Sequence, residues 1–475
     1  MTTRVALEDQ GTINETLRLS AVEQARLIRD RRISSRELIQ AHLNRIAQVN
    51  PKLNAAIMVL GDDALRAADQ ADQRAARGET ISPLDGVPFT VKDSIEVAGT
   101  ACTAGTIGLT NSPPSKSDAT LVSRLRSAGA IPIAKTNLPD LLFAFETDNL
   151  IFGRTNNPYD VTRTCGGSSG GEAALIAACA SPMGLGSDAA GSVRLPAHFC
   201  GIASIKPTSG RLARTGHVPP AGGWIEMLWQ IGPMARHAAD LRAMMPILIG
   251  PDGRDHTVID VPYQDPNGVR LRDLRVAFFT DNGIIPADSE TAATVRAAAQ
   301  TLAGDGAEVD ETRPPGIDQS FDLEMKMIGP DGGDGLRQFL QSVGSKRTHP
   351  LLEQWLAKLE RYRTNIDGFA EYWNNLHEFR ARMNGFMQNY DVILSPVYPT
   401  PALKHGASTL DENFIGFSYT MTHNLTGWPA AVVRCSESAA GLPIGIQIAA
   451  RPLREDIALA VASRLEQVKA STGVV

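Results

Sequence analysis

Three stretches of the chain carry side chains that could do chemistry on a carbonyl. Arg163 to Leu175 reads RTCGGSSGGEAAL and sets Ser168 and Ser169 between two pairs of glycines. From Met183 the chain reads MGLGSDAAGSVRLPAHF, with Ser192 after a short apolar run and among small residues. Several successive backbone N–H groups there can point at one oxygen, which is the geometry an oxyanion hole requires. Upstream, GVPFTVKD closes a strand-like run with Lys92, a cation followed directly by Asp93.

The Gly/Ser stretch admits several readings. A flexible linker joins domains, whereas GGSSGG runs straight into the good helix former EAALIAAC. A phosphate cradle lacks its Gly-x-x-x-x-Gly-Lys-Ser/Thr pattern, and Glu172 stands where the anion would sit. Gly166 to Gly170 does satisfy Gly-x-Ser-x-Gly, the elbow that presents a hydrolase serine. That elbow needs a buried strand before it, and what precedes is the polar, turn-like NNPYDVTRTC.

Strands and helices must hold these pieces together. GVPFTVKD, AIPIAK, PMGLGS and GIASIK are strand-like and alternate with the helical DATLVSRLRSAG and GEAALIAACA, which argues for a largely parallel or mixed sheet covered on both faces. Before them, Ser20 with Glu23 and Ser34 with Glu37 form two capping boxes and predict a helical hairpin. From about Pro251 to Asn389 charged helical stretches joined by Gly- and Pro-rich loops read as a helical cap, after which DVILSPV, AAVVRC and LPIGIQIAA return to the sheet. The expected organisation is one α/β/α domain with a mixed central sheet. It divides into an N-terminal helical segment (1–60), a core bearing the chemistry (61–250), a helical insertion shaping the pocket (251–390) and C-terminal strands with a helix (391–475).

Bulk properties narrow the function. With 475 residues, 43% hydrophobic and 21% charged, the chain has the composition of a globular protein with a sizeable core. A net charge of −6 and no basic cluster beyond Arg31-Arg32 provide no footprint for nucleic acid. The N-terminal MTTRVALEDQGTINETLRLS lacks the pattern of a secretory signal and no window approaches a membrane span, so a cytoplasmic location is expected. Five cysteines without a Cys-x-x-Cys pair and nine scattered histidines suggest neither disulfides nor a metal site; no cofactor is expected.

Together, the Val-Lys-Asp strand end, the Gly-Gly-Ser-Ser-Gly-Gly loop and the Gly-Ser-Val-Arg loop, whose Ser192 lies 24 residues beyond Ser168, resemble the amidase signature family. The likeness extends to RLRSAGAIPIAKTNLPD, GPMARHAADL, SPVYPTPA and NLTGWPAAVV…GLPIGIQIAA, nearly the whole chain. It implies Ser192 as nucleophile, Ser168, preceded by a cis peptide, as the proton-relaying serine, and Lys92 as base, with Ser169 hydrogen-bonded behind them. The backbone N–H groups of Ala189, Ala190, Gly191 and Ser192 are the expected oxyanion hole, and Asp188 and Arg194 are expected to brace the loop as an ion pair. A serine hydroxyl needs a base to become a good nucleophile, and a lysine is a base only when neutral, a state that burial favours. Asp93 would defeat this if it faced Lys92, but neighbouring strand residues point to opposite faces. The chain departs from the family in having Ala190-Gly191 where two glycines are usual; a positive φ at Ala190 would cost about 1 kcal/mol. Cys165, where proline is common, is expected to be a packed thiol.

Within the family, GGEAALIAACASPMGLGSD and GRLARTGHVPP are similar to the broad-range branch, which includes fatty-acid and aryl amide hydrolases and urethane-cleaving members. Phe143, Phe145, Arg211, Trp224, Met227 and Trp229 are candidate pocket walls, core packing being the other reading of the aromatic ones. The expected partners are a small, partly apolar amide or carbamate and water, acting on a monomer or homodimer. Two alternatives stand: the A-type subunit of a tRNA amidotransferase, whose segment before the last strands is replaced here by TNIDGFAEYWNNLHEFRARMNGF, and a non-catalytic binding protein of the same fold.

Overall fold

The short apolar runs become strands because both of their faces are covered. In the computed structural model, which describes residues 15–220 and 222–471, eleven strands form one mixed sheet: β1 Ala56–Val59, β2 Pro88–Lys92, β3 Ile131–Thr136, β4 Met183–Asp188, β5 Ala203–Lys206, β6 Gln230–Ala235, β7 Arg275–Phe278, β8 Glu308–Glu311, β9 Val392–Pro396, β10 Ala430–Glu437 and β11 Pro443–Ala450. Their spatial order is β1-β3-β2-β4-β6-β5-β10-β11-β9-β7-β8. β2 runs parallel to both β3 and β4, which sets the ends of β2 and β4, and hence Lys92 and Asp188, side by side. The last strands re-enter the same sheet through the antiparallel pairing of β10 with β5.

Alternation along β2 sorts its side chains: Phe89 and Val91 pack into the core on one face, while Thr90 bonds to Glu172 of the helix Gly170–Ala177 on the other. That helix is buried on every side, which is why, after Glu172, AALIA is apolar all round rather than striped. Helices Thr120–Ser127, Ala238–Leu248 and Glu455–Ser471 cover the first face. Helices Ser35–Leu53, Gly170–Ala177 and Arg194–Cys200 cover the second. Both expected capping boxes are formed, Ser20 with Glu23 and Ser34 with Glu37.

Two expected segment descriptions need correction. The N-terminal helical segment also supplies the edge strand β1, and the supposedly helical insertion supplies β7 and β8. Neither could be recognised from pattern: each of the three strands has four residues, and β8 is the polar EVDE at the sheet edge, with no apolar alternation to read. Residues 1–14, which hold most of the segment read as lacking a secretory signal, lie outside the described residues. No described helix is long and apolar enough to cross a membrane.

The remaining helices of the insertion, with Ser418–Leu425, cap the sheet through two aromatic clusters. One gathers Phe145, Trp355, Phe414, Phe417 and Met421 against Ala190, beside Ser192. The other joins Met227, Phe369, Trp373 and Phe379 to the sheet residues Ala277 and Ile393.

Candidate active site

Lys92 ends β2 with no exposure to solvent, and its Nζ lies 2.6 Å from Ser168 Oγ, 2.9 Å from Ser169 Oγ and 3.2 Å from Ser187 Oγ. Burial lowers its pKa to about 7, against the opposing pull of Asp188 and Glu172. Glu172 offers little compensation, because burial pushes its own carboxyl up to about 8 in spite of the hydroxyl donors Thr90 and Thr136. Asp93 points elsewhere: it pairs with Lys135 at 2.6 Å and accepts from the Thr103 N–H. The expectation from strand alternation therefore describes this corner of the molecule.

The loop that brings the serines up is shaped by close approach. The Gly167–Ser168 peptide is cis, and a Cβ at Gly167 would lie 2.6–2.8 Å from the backbone of Ala144 to Glu146. The Ser169 N–H donates to the Ser192 carbonyl at 3.1 Å, tying this loop to the one that carries Ser192. Residues 165–169 follow irregular chain, so the strand that a nucleophile elbow requires is absent there. Cys165 is buried and burial pushes its thiol up to about 12, the state of a packed thiol.

Exposure rises along the series from Lys92 at 0% through Ser168 at 2% to Ser192 at 8%, and Ala189 beside it is exposed. Among the described residues nothing hydrogen-bonds to the Ser192 hydroxyl, and no backbone acceptor takes the N–H of Ala189, Ala190 or Ser192. Gly191 differs from expectation. Its N–H donates to Asp188 Oδ1 at 2.8 Å, so it is withdrawn from the oxyanion set, while Val193 N–H donates to Asp188 Oδ2 at 3.2 Å. The positive φ also falls on Gly191, at 116°, and not on Ala190, and a Cβ on Gly191 would collide with the Thr420 side chain. Ala190 is therefore accommodated without left-handed strain; its carbonyl accepts from Thr420 Oγ1 at 2.7 Å.

Asp188 and Arg194 form the expected pair, fully buried, at 2.8 and 3.0 Å. Arg194 also donates to Thr420 O, Gln447 Oε1 and Asn424 Oδ1, so one guanidinium joins β4, the helix Ser418–Leu425 and β11. Burial alone would raise the Asp188 carboxyl; Arg194 and the Asn424 amide hold it well below the ordinary carboxylate range.

The candidate wall residues separate. Phe145 stacks on Phe417 at 3.6 Å and Phe143 meets Trp355 edge-on at 5.9 Å, both in the cluster that holds Ala190. Trp224, partly exposed, lies 5.9 Å from Phe369, and Met227 packs in that second cluster. Trp229 is buried against His217 at 4.6 Å with Arg214 over its ring. Arg211 is no pocket residue: it is fully buried, donates to the carbonyls of Val261 and Pro262, and faces Glu455 at 3.7 Å. A cleft of about 560 Å³ opens at the β1 edge beside Met58, Asp62 and Arg126, and none of the candidate site residues lines it.

Five polar residues join the site that the sequence did not single out for it: Ser187, His217, Glu172, Thr420 and Asn424. Ser187 stands one residue before Asp188 on the strand that leads to Ser192. Glu172 directly follows the Gly-Gly-Ser-Ser-Gly-Gly loop, His217 stands in GRLARTGHVPP and Asn424 in NLTGWPAAVV, but nothing in those stretches tells which partner each side chain meets.

Comparison with known proteins shows what the whole chain is similar to. The family model described as Amidase matches residues 37–459. Human fatty-acid amide hydrolase 2 is 33% identical over 95% of this chain and 89% of its own. The A-type subunit of a glutamyl-tRNA(Gln) amidotransferase from Synechococcus sp. (strain CC9605) is 32% identical over 92% of this chain and 93% of its own. The crystal structure of a bacterial aryl acylamidase of the amidase signature enzymes superposes with a TM-score of 0.83 at 25% identity, covering 94% of this chain and 96% of that one.

Proposed function

Since the chain belongs to the amidase signature family and is a hydrolase of amide C–N bonds, we propose that Ser192, Ser168 and Lys92 are its catalytic residues and that it cleaves small, partly apolar amides, aryl amides or carbamates. The observation that carries this reading is Lys92: a buried amine with a pKa near 7, 2.6 Å from Ser168, at the inner end of a series whose outer end is the unpartnered Ser192 hydroxyl.

In the proposed reaction Ser192 Oγ attacks the carbonyl carbon. Its proton passes to Ser168 Oγ as the Ser168 proton passes to the lone pair of Lys92 Nζ. The developing oxyanion is met by the free N–H groups of Ala189, Ala190 and Ser192, donors already in place before reaction. The proton returns from Lys92 through Ser168 to the leaving nitrogen, the C–N bond breaks, and an ester on Ser192 remains. Water, deprotonated by the same relay, then attacks the ester and releases the acid. A carbamate presents the same carbonyl and follows the same steps.

The apolar substrate preference is supported by the cluster of Phe145, Phe417, Trp355 and Met421 that reaches Ala190, and by the fatty-acid and aryl amide hydrolases among the similar proteins. The similar amidotransferase chain favours a second reading, a component that releases ammonia from an amide for partner proteins. A fluorophosphonate, which traps activated serines, tests the first. Label mapped to Ser192 and abolished by Lys92→Ala is expected, followed by turnover of simple anilides by the isolated chain. Label on Ser168 or Ser169 would overturn the assignment. Activity confined to glutamine or asparagine amides and dependent on added partner proteins would establish the second reading.

A further inference from the structure

Lys92 has a third hydroxyl neighbour that the proposed reaction does not use. Ser187 Oγ lies 3.2 Å from Nζ and, on its other side, 3.1 Å from His217 Nε2. His217 Nδ1 is 2.9 Å from the carbonyl of Pro219. A carbonyl only accepts, so Nδ1 carries the imidazole proton and Nε2 is a bare acceptor. The Ser187 hydroxyl must then donate to His217, and toward Lys92 it can only accept.

The same reasoning polarises Ser169. Its hydroxyl donates to the Ser187 carbonyl at 3.2 Å and accepts the Ser187 N–H at 3.3 Å, so it too can only accept from Lys92. A neutral amine has two N–H donors and one lone pair. With Ser187 and Ser169 both restricted to accepting, the two N–H groups are taken and the lone pair is left for the Ser168 hydroxyl alone. When the proton arrives, the three N–H groups of the ammonium meet three hydroxyl oxygens, and nothing needs to turn round.

Resting on the reading of Lys92 as the base, we propose that His217, acting through Ser187, is a positioning residue that reserves the Lys92 lone pair for Ser168. The loop is placed for this: Val218 N–H donates to Ser94 O at 2.7 Å, and Ile95 bridges to His217, so the turn that follows Lys92 also seats His217. Trp229 packs on the ring and Arg214 lies over the Trp229 ring, its charge taken by Asp255 and Glu226. Burial keeps the ring neutral, pushing its pKa down to about 3. The charged or titratable groups that face the pair are Asp188 and Glu172 toward Lys92 and Arg214 toward His217.

Without the acceptor at His217, Ser187 is free to rotate and donate to Lys92, competing with Ser168 for the lone pair and favouring the neutral amine. His217→Phe keeps a ring on Trp229 and removes the acceptor for Ser187 together with the Nδ1–H donated to Pro219 O. Fluorophosphonate labelling of Ser192 separates kinact from KI without a known substrate. The expected result is a fall in kinact of about tenfold to a hundredfold with KI little changed, and an acid limb of kinact/KI moved to lower pH. His217→Gln, whose carbonyl oxygen can stand in for Nε2, should recover part of the loss. In the Ser187→Ala background, His217→Phe should add little, because the two act in series. Wild-type kinact in His217→Phe while Lys92→Ala is inert, or losses that multiply in the double variant, would overturn the proposal and leave the triad intact. Labelling that survives Lys92→Ala would remove the underlying reading instead. Should His217→Phe not fold, ¹⁵N histidine spectra of the wild-type protein decide: a neutral Nδ1–H tautomer for His217 from pH 5 to 9 supports the proposal, and an Nε2–H tautomer or an imidazolium overturns it.

Discussion

The behaviour of Lys92 is dictated by its surroundings. Its ordinary pKa of 10.5 falls to about 7 because burial disfavours the cation more than Asp188 and Glu172 favour it. In the proposed mechanism the neutral form is the base, so kcat/KM on any turned-over amide is expected to rise through about pH 7 and to fall again as pH drops below it. A pH–rate profile lacking that limb would contradict the assignment. Glu172 contributes to stability in a way that can be measured separately. Its folded pKa is raised from 4.5 to about 8, so between those values the folded state holds a proton that the unfolded chain has lost, and stability falls as pH rises. Glu172→Gln should therefore raise the melting temperature more at pH 8 than at pH 5. At Gly191 a φ of 116° and the Thr420 side chain both exclude a Cβ. Gly191→Ala is expected to cost about 2 kcal/mol or more in urea unfolding and to slow Ser192 labelling, since the loop must move to relieve the clash.

Between elements, the Asp188–Arg194 pair is the joint. It links the end of β4, the start of the helix Arg194–Cys200, the helix Ser418–Leu425 through Thr420 and Asn424, and β11 through Gln447. Removing one partner strands a buried charge, so Arg194→Met should destabilise the protein by about 3–5 kcal/mol. Arg194→Lys should recover little, since a single ammonium cannot reproduce a guanidinium bonded to four residues. Chemical denaturation measures both; equal stability of wild type and Arg194→Met would show that the joint is dispensable. The carboxylate of Asp188 also holds Gly191 and Val193 by their N–H groups, so the same variants should lower Ser192 labelling.

Across the whole molecule, the two aromatic clusters lie where the insertion meets the sheet, and the one containing Phe145, Phe417 and Trp355 is continuous with Ala190. If this cluster receives the acyl group, Trp355→Ala should lower kcat/KM for bulky or aryl acyl amides by about tenfold or more relative to acetamides; an unchanged ratio would place the acyl site elsewhere. The rest of the insertion then acts as cover, keeping water from the relay and strengthening every hydrogen bond in it.

Much of this was legible in the chain itself because it is local. Two Ser-x-x-Glu boxes start two helices, apolar runs ending in turns become β2, β3, β4, β9, β10 and β11, and Lys92, Ser168 and Ser192 stand in motifs whose order and spacing survive as text. Opposite faces for Lys92 and Asp93 follow from the two-residue period of a strand. What needed the tertiary structure was everything set by partners distant in sequence. Gly191 looked like an oxyanion donor until Asp188 was seen to hold its N–H, and Arg211 like a pocket residue until Glu455, 244 positions away, was found beside it. His217 stands 125 residues from Lys92 in GRLARTGHVPP, a stretch that says nothing of its partner, and only the packing of its loop against the turn after β2 brings it to Ser187. Sequence determines which groups are available and which local shapes they prefer; which hydrogen bond each group makes, and so which pKa it has, depends on which atoms the folded sheet and its cap bring within 3 Å.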